Sequence, residues 1–413
     1  MKRRGFLKTL ASLPVAALTG CQYWPDEGLF SHCDEGVLPA SLAEHDLVAA
    51  TWEGIDTDQV WDCHAHLIGI GDSGSGIWVN PNMQSLLHPM LVTQFKYYLS
   101  ATCAQASGNN SIDEGVVQRM LDLHRDMPRG FRFMLLAFDY YYDENGKPNL
   151  EYSAFHTPND YARRLAGAHG HCFQWIASIH PYREDAVDAL EWAAANNARA
   201  IKWLPSAMGI DASHPRCDSF YEAMVKHDLP LLAHTGAEYA VDVPSGQTYN
   251  NPLLFRRALD HGVKVIFAHC ASLGKSRDID KGENGPMVPS IELFARIMAD
   301  HRHENLALGG FSAVTMVNRD REVIEQIVRT EEWHDRLVYG SDYPLPAVTP
   351  IFSPRNFVQW GMLPESEAEI LSQVRRYNPM LFDVMLKRRI SVDGRRIKST
   401  AFETRRHFVR TSS

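Results

Sequence analysis

The segment Val60-Trp61-Asp62-Cys63-His64-Ala65-His66 is a short apolar run that ends in two histidines separated by one residue. In an extended strand, alternate side chains point to the same face, so the imidazoles of His64 and His66 would lie about 6.6 Å apart along the backbone. That spacing lets two imidazoles bind one metal ion, with Asp62 on the same face below them. The segment therefore predicts a strand that ends in a metal site.

The His-x-His pattern alone is weak evidence, because the chain has 19 histidines in 413 residues. At that content the pattern is expected about once by chance. His169-Gly170-His171 and His301-Arg302-His303 repeat it, but each follows an amphipathic segment and is typical of a polar helix end. The prediction at His64 therefore depends on the rest of the chain.

From residue 130 onward the hydrophobic period switches regularly between that of a strand and that of a helix. With the first segment, eight apolar strands are predicted at 60–66, 131–139, 173–180, 200–204, 230–234, 263–269, 306–312 and 336–342. Almost continuous apolar runs that alternate with helices are typical of buried parallel strands. The predicted fold is therefore α/β, a (β/α)₈ TIM barrel. An open doubly wound sheet is the alternative, but no Gly-x-Gly-x-x-Gly turn follows the first strand.

The barrel is assigned to residues 41–387, with a helix that opens at a capping box over residues 41–44. The long connection over residues 67–107 is predicted to act as a lid over the strand ends. Residues 388–413 form a basic C-terminal extension, predicted as a hairpin at Asp393-Gly394 followed by a solvated end.

The first twenty residues have the features of an export signal. Lys2-Arg3-Arg4-Gly5-Phe6-Leu7-Lys8 precedes an apolar run too short to span a bilayer, and resembles a twin-arginine signal. Leu18-Thr19-Gly20-Cys21 is similar to a lipobox, in which Cys21 is acylated and becomes the mature N-terminus. Residues 21–40 are predicted to be a tether. The protein is therefore expected to face the periplasm, anchored to a bacterial membrane through lipid on Cys21.

Charge and cysteine content limit the classes of partner. The net charge is −9, and the first twenty residues carry four basic and no acidic side chains, so the remainder has a net charge of −13. Nucleic acid is not expected as a partner, because phosphate binding requires a basic surface. The cysteines match no small disulfide framework, and Cys63 and Cys270 are interpreted as small buried hydrophobic residues.

Further polar residues coincide with the other predicted strands. Lys202 lies on the fourth strand, His234 and His269 end the fifth and sixth, and Asp342 ends the eighth. In a barrel of this kind the chemistry lies at the carboxyl ends of the strands. Imidazole and carboxylate ligands favour a divalent metal ion such as Zn²⁺. The sequence therefore predicts a metal site, with aromatic residues near its mouth at Trp78, Tyr140, Tyr141, Tyr142 and Tyr343.

This arrangement resembles the amidohydrolase superfamily of metal-dependent barrels over about residues 58–387. Ser341-Asp342-Tyr343-Pro344 and Tyr377-Asn378-Pro379-Met380-Leu381-Phe382 are similar to its amidohydrolase-2 branch, which includes hydrolases, lactonases and decarboxylases. The resemblance implies that His64, His66 and His234 bind metal, and that Asp342 both binds metal and moves protons.

The number of ions stays open at this point. In mononuclear members of the superfamily, the residue equivalent to His269 acts as a base or orients water. In binuclear members, the lysine equivalent to Lys202 is carbamylated and bridges two ions, and His269 becomes a ligand. Lys202 could equally remain an ammonium group that holds a substrate carboxylate.

The expected activity is hydrolysis of an amide, ester or lactone bond in a small molecule by metal-activated water. Asp342 and His269 are the expected catalytic residues, and His180 and Glu238 are expected to contact the substrate. One alternative is a non-oxidative decarboxylase that uses the same metal site to chelate a carboxylate. A non-catalytic lipoprotein binding module is a further alternative, although no expected ligand is missing. The oligomeric state is not predicted.

Overall fold

The computed structural model describes Ser31, Cys33 and the residues 37–104 and 111–410. The export signal predicted over residues 1–20 and the lipidated Cys21 lie outside the described residues, as does most of the predicted tether. Within the described ranges, no helix is both long and apolar enough to span a bilayer.

Eight parallel strands form the centre of the part that the structure describes. They are β1 (Trp61–His66), β2 (Arg132–Leu136), β3 (Phe173–Ile176), β4 (Ile201–Trp203), β5 (Leu231–His234), β6 (Val265–Ala268), β7 (Ala307–Gly310) and β8 (Leu337–Val338). The strands β1, β2 and β3 are hydrogen-bonded side by side in one sheet, in that order. The strands β4, β5, β6, β7 and β8 form a second sheet, also in chain order. Parallel bridges between Ala177 and Ile201, and between Ala65 and Tyr343, join the two sheets at both edges. The predicted (β/α)₈ fold is confirmed.

The helices are mostly placed as the hydrophobic period predicts. They are α1 (Ala40–Ala43), α2 (Asp46–Thr51), α3 (Pro89–Ala101), α4 (Ile112–Arg125), α5 (Asn159–Ala168), α6 (Ala186–Ala195), α7 (Pro205–Met208), α8 (Asp218–Lys226), α9 (Arg256–Asp260), α10 (Ser290–Met298), α11 (Arg321–Arg329), α12 (Pro354–Gln359), α13 (Glu365–Tyr377) and α14 (Pro379–Arg389). The predicted capping box is wrong, because α1 begins after Pro39 with no side-chain cap and stops at Glu44. His45 then caps α2 by accepting a hydrogen bond from the Leu47 amide at 3.1 Å.

The connection after β1 is ordered by local polar contacts. The buried carboxylate of Asp113 accepts hydrogen bonds from the amides of Ile70 and Gly71, at 2.7 and 3.1 Å. Trp78–Val79 then pairs antiparallel with Phe155–His156. Helix α3 follows, and a disulfide between Cys33 and Cys103 holds the chain just beyond its end. No local pattern predicts this disulfide, whose cysteines are 70 residues apart.

The C-terminal extension packs against the amino-terminal end of the barrel, so the prediction of a solvated end is wrong. The predicted hairpin is present as an antiparallel bridge between Val392 and Arg395. Beyond it, the Trp61 amide donates to the Thr404 hydroxyl at 3.0 Å. Phe408 is buried in the same apolar cluster as the inward-facing residues of the strands. These contacts close the base of the barrel, because apolar side chains there would otherwise face water.

A buried ion pair lies between α14 and the end of β8. Lys387 Nζ lies 2.6 Å from Asp383 Oδ2 and donates to the Gly340 carbonyl oxygen at 2.8 Å. The Tyr339 hydroxyl donates to the same Asp383 oxygen at 3.0 Å. None of the three side chains has exposed surface, so α14 fixes the segment that leads to Asp342.

Candidate metal centre

The carboxyl ends of β1 and β8 bring three of the predicted ligands together. The Nε2 atoms of His64 and His66 lie 3.2 and 3.1 Å from Asp342 Oδ1. One ligand atom from each residue lies within 4.8 Å of the others, which is a separation that one metal ion can bridge. His66 keeps 24% of its side chain exposed whereas Asp342 keeps 8%, so the cluster opens to solvent on the His66 side.

A register irregularity in β1 between Asp62 and Ala65 sets this geometry. At the irregularity, the buried Asp62 carboxylate accepts the backbone amides of His64 at 3.0 Å and Ser341 at 2.9 Å. The Asp342 amide in turn donates to the His64 carbonyl oxygen at 2.7 Å. Asp62 therefore ties β1 to the end of β8, and it lies outside the cluster of metal-type ligand atoms.

His234, at the end of β5, is held by the carboxylate that follows it. Its Nδ1 lies 3.2 Å from Glu238 Oε2, and the other oxygen of Glu238 accepts the Ala240 amide. The Nε2 atom of His234 is buried and has no hydrogen-bond partner among the described residues. A carboxylate that accepts a hydrogen bond from Nδ1–H fixes the tautomer in which the Nε2 lone pair is available for a metal ion. Glu238 therefore positions His234, and its predicted contact with substrate is not supported.

His269 and His64 share a contact that the sequence analysis did not predict. His269 Nδ1 donates to the Ser312 carbonyl oxygen at 3.0 Å and lies 3.1 Å from the Ser312 hydroxyl. The same hydroxyl lies 3.0 Å from His64 Nδ1. Ser312 ends the predicted seventh strand, so a polar residue directly after an apolar run is the sequence feature that could have indicated its role. The Ser312 hydroxyl orients the rings of both His64 and His269.

Lys202, on β4, has no exposed surface and points toward the same centre. Its Nζ lies 3.1 Å from His64 Nε2. No carboxylate oxygen of the described residues forms an ion pair with it, since none is found within 4.0 Å. Burial lowers the pKa of Lys202 to about 8, although Asp342 and Glu238 act in the opposite direction. A lysine in this environment releases its proton more readily than an exposed one.

The charges of the cluster match metal binding. Burial lowers the pKa of His64 and of His234 well below the usual value, so both rings are neutral and carry a free lone pair. Burial alone would raise the pKa of Asp342, but the interactions with His64 and His66 outweigh it and hold that pKa well below its ordinary value. An ionised carboxylate beside neutral imidazoles is the donor set that a Zn²⁺-like ion prefers.

The backbone is strained after the ends of β6 and β8. His269, Cys270 and Ala271 have φ angles of 61°, 50° and 49°, and Asp342 has a φ of 66°. A non-glycine residue in this left-handed region costs roughly 1–2 kcal/mol. Strain of this kind is concentrated at functional sites, where it aims side chains that a relaxed strand end would point elsewhere. His269 and Asp342 are both aimed in this way.

His180 does not join the cluster. Its Nε2 donates to the Met208 carbonyl oxygen at 2.8 Å, and its Nδ1 accepts the Tyr182 amide at 3.1 Å. Both ring nitrogens are therefore occupied by backbone, and the predicted substrate contact is not supported. The predicted aromatic mouth is also only partly formed, because Tyr343 is buried and the Tyr142 hydroxyl is turned toward Asp139 at 3.3 Å.

Helix α3 covers one side of the site, as a lid would. Gln94 Nε2 donates to the carbonyl oxygens of Tyr239 and Ala240, each at 2.8 Å, in the loop that follows β5. The Tyr98 hydroxyl donates to the Ala240 carbonyl oxygen at 3.3 Å. Burial raises the pKa of Tyr98, and the charges of Glu238 and Asp342 add to the effect. Helix α3 therefore lies close to the metal ligands.

The sequence of the chain matches a known protein family. The family model described as "Amidohydrolase" matches residues 61–354, which is most of the chain. The chain belongs to this amidohydrolase family. The family is enzymatic and metal-dependent, in agreement with the ligand cluster at His64, His66 and Asp342. Among curated proteins, none matches the chain in sequence.

Several solved structures are similar to this chain at low sequence identity. An uncharacterised TIM-barrel protein from Bordetella bronchiseptica is 13% identical, with a TM-score of 0.46, over 76% of this chain and 98% of the other. A protein assigned as a 2-pyrone-4,6-dicarboxylic acid hydrolase from Pseudomonas putida is 14% identical, with a TM-score of 0.40, over 69% and 82%. The 5-carboxyvanillate decarboxylase from Sphingomonas paucimobilis is 11% identical, with a TM-score of 0.42, over 76% and 97%.

Proposed function

We propose that the protein is a metal-dependent hydrolase that cleaves an amide, ester or lactone bond in a small molecule. The observation that carries the proposal is the convergence of His64 and His66 Nε2 on Asp342 Oδ1. The buried His234 Nε2, which has no partner among the described residues, is a further candidate ligand. An unsatisfied buried nitrogen is unfavourable unless something supplies a partner, and a metal ion would supply it. His64, His66, His234 and Asp342 would hold the ion.

A divalent ion held there would lower the pKa of a water molecule toward neutrality and polarise a substrate carbonyl. The chain supplies the proton transfer. Asp342 Oδ1 faces the two histidines, whereas Oδ2 lies 4.0 Å from His269 Nδ1, beyond hydrogen-bonding distance. We assign Oδ2 as the acceptor of the water proton and its donor to the leaving group. His269, whose ring is oriented by Ser312, lies on the Oδ2 side of this carboxylate.

We propose that one ion is bound and that it is Zn²⁺. The described residues contain one group of metal-type ligand atoms, and Lys202 stands beside it as a cation whose nearest polar atom is His64 Nε2. Metal analysis of the purified protein, of His64→Ala and of Lys202→Ala tests this. We expect one ion per chain in the wild type and in Lys202→Ala, and loss of the ion in His64→Ala. Two ions in the wild type, with one lost in Lys202→Ala, would show a carbamylated bridge instead.

The reaction type is tested with a panel of phenyl esters, lactones, anilides and aromatic acids in H₂¹⁸O. A hydrolase incorporates one ¹⁸O atom into the carboxylic acid product, and we expect Asp342→Ala and chelator-treated protein to lose this incorporation. The alternative, a decarboxylase, would release CO₂ from an aromatic acid and leave esters, lactones and anilides intact. That pattern would overturn the hydrolase assignment and retain the metal site.

We also propose that the protein is exported by the twin-arginine route and anchored through lipid on Cys21, facing the periplasm. The support is the signal pattern over residues 1–21, and the disulfide between Cys33 and Cys103 agrees with an oxidising compartment. In cell fractions, Arg3→Lys with Arg4→Lys should retain the precursor in the cytoplasm. Cys21→Ala should release the exported protein from the membrane. Export unaffected by the double arginine change would contradict the proposal.

A further inference from the structure

We propose that Arg319 forms a carboxylate-binding subsite next to the metal centre, so that the substrate carries a carboxylate group beside the bond that is cleaved. The inference rests on the proposed function only for the location of the reacting bond. The subsite itself stands on the burial, contacts and surroundings of Arg319.

Arg319 lies in the connection from β7 to α11 and keeps only 6% of its surface exposed. Its Nε donates to the Ser272 hydroxyl at 2.9 Å. Ser272 closes the strained turn that begins with His269, since its amide donates to the His269 carbonyl oxygen at 2.9 Å. Arg319 is therefore attached to the loop that carries His269.

The guanidinium group of Arg319 has only neutral partners among the described residues. Nη1 donates to Asn318 Oδ1, and Nη2 has no hydrogen-bond partner there. The buried Arg319 also forms no ion pair with any described carboxylate. By contrast, Arg257 is paired with Asp218 through two hydrogen bonds of 2.6 Å each. Burying a cation without an anion is unfavourable, so the group is built to receive one.

Ser272 attaches Arg319 to the turn of His269, and the carboxylates that act on Arg319 are those of the candidate metal centre. Burial lowers the pKa of Arg319 to about 10, and the nearby carboxylates that act against this effect are Asp342 and Glu238. Burial likewise lowers the pKa of His269 to about 4, with a contribution from the positive charge of Arg319. Arg319 therefore lies within electrostatic range of the residues that would hold the ion and move the proton.

A carboxylate is the ligand that this geometry fits. The planar guanidinium presents parallel N–H groups that match the two oxygens of a carboxylate. With Nε and Nη1 already engaged, Nη2 offers a small number of donors, which suits a carboxylate better than a phosphate. Lys202 adds a second buried cation, whose Nζ lies 3.1 Å from His64 Nε2. The site therefore favours an organic acid over a neutral substrate of the same shape.

The test measures binding of matched probes by calorimetry. Benzoate, its neutral analogue benzamide, and phenyl phosphate are titrated into metal-loaded and chelator-treated protein. We expect the wild type to bind benzoate about 10- to 100-fold more tightly than benzamide in both forms, the range for a charge-assisted hydrogen bond. Arg319→Gln should reduce that preference to within about twofold. Arg319→Lys, which keeps the charge, should retain part of it.

Arg321→Gln is the matched control, because Arg321 is 49% exposed and pairs with Glu325 on the surface of α11. It should behave as the wild type. Thermal unfolding and metal content establish that each variant is folded and loaded. Equal benzoate affinity in wild type and folded Arg319→Gln would overturn the proposal, as would a wild type with no preference for benzoate or a stronger preference for phenyl phosphate.

The failure of the proposed function has a different signature. A wild type that contains no stoichiometric metal, or that hydrolyses no member of the ester, lactone and anilide panel, would remove the hydrolase assignment. The preference of the chelator-treated protein for benzoate, and its loss in Arg319→Gln, would be unchanged by that result.

Discussion

Lys387 and Lys202 are both completely buried, but their surroundings differ in kind. Lys387 is paired with Asp383 at 2.6 Å and donates to the Gly340 carbonyl oxygen at 2.8 Å. Lys202 has no carboxylate partner among the described residues, and its nearest polar contact is His64 Nε2 at 3.1 Å. The first lysine belongs to a structural ion pair. The second contacts an imidazole nitrogen where the first contacts a carboxylate.

The same contrast separates the two regions around these lysines. Near the end of β8, the Tyr339 hydroxyl donates to Asp383 in addition to the contacts of Lys387. These contacts fix the segment that leads to Asp342. At the carboxyl ends of the strands, His234 Nε2 lacks a partner in the part of the chain that the structure describes, and no described carboxylate pairs with Lys202 or Arg319. Buried atoms without a partner also occur elsewhere in the described residues, and Asp383 Oδ1 is one of them. Ligand-type groups and unpaired cations that occur together therefore mark the site, and a single unsatisfied atom does not.

The largest expected effect follows from removal of the carboxylate at the centre. Asp342→Ala should lower kcat/KM by at least about a thousandfold, since it removes both a metal ligand and the proton acceptor. Denaturant unfolding should show that the variant is still folded. Retention of more than about a tenth of the wild-type kcat/KM would show that the reaction does not use this centre.

The structural ion pair should respond in stability instead. Lys387→Met leaves Asp383 buried without a cation and should destabilise the fold by about 3 kcal/mol at pH 8. Burial already raises the pKa of Asp383 from 3.8 to about 6, although Lys387 acts to lower it. Loss of Lys387 should raise it further.

A carboxyl whose pKa is raised on folding stabilises the fold while it is protonated, and that contribution is lost as the pH rises through the folded-state pKa. The deficit of Lys387→Met should therefore shrink toward pH 5 and grow toward pH 8 when unfolding is measured across this range. A deficit that does not change with pH would indicate that lost packing, and not the unpaired Asp383, is responsible.

The contact that holds His234 should have an intermediate effect. Glu238→Ala removes the acceptor of the Nδ1 proton and should weaken metal affinity about 10- to 100-fold, as measured by competition with a chelating dye. Glu238→Gln keeps an acceptor oxygen and should lose less. If both variants bind metal as the wild type does, His234 is not a ligand.

The smallest expected effect is on stability at Lys202. Lys202→Met removes a buried cation that has no carboxylate partner among the residues that the structure describes, so the free energy of unfolding should change by less than about 1 kcal/mol or increase. The difference between Lys202→Met and Lys387→Met at pH 8 measures the contrast directly. A loss at Lys202 as large as that at Lys387 would mean that the two lysines have equivalent structural roles.

Elements with a strong local signal were predictable from the sequence. The first strand is predicted at 60–66 and is found at Trp61–His66, since its apolar run is a local feature. Contacts that join distant segments were not predictable. Nothing near Cys33 indicates Cys103, and nothing local shows that Phe408 enters the strand cluster. Such pairings depend on the closed fold and not on the chain around each residue.

The site was predictable to a similar extent. Residue type and position at a strand end were enough to indicate His64, His66 and Asp342, which the fold brings within reach of one ion. The roles of the supporting residues were not, because they depend on which atom faces which. Glu238 holds a histidine, His180 binds backbone, and Ser312, for which no role is predicted, orients two rings.

The packing of the C-terminal extension has a consequence for synthesis. The hydrogen bond between Trp61 and Thr404 joins residues that are 343 positions apart. At the usual translation rates of about 5–20 residues per second, Trp61 emerges roughly 20–70 seconds before its partner exists. Throughout that interval the underside of the barrel has apolar side chains open to the cytosol. Chaperones that recognise nascent chains should therefore bind this protein until its last segment has been made.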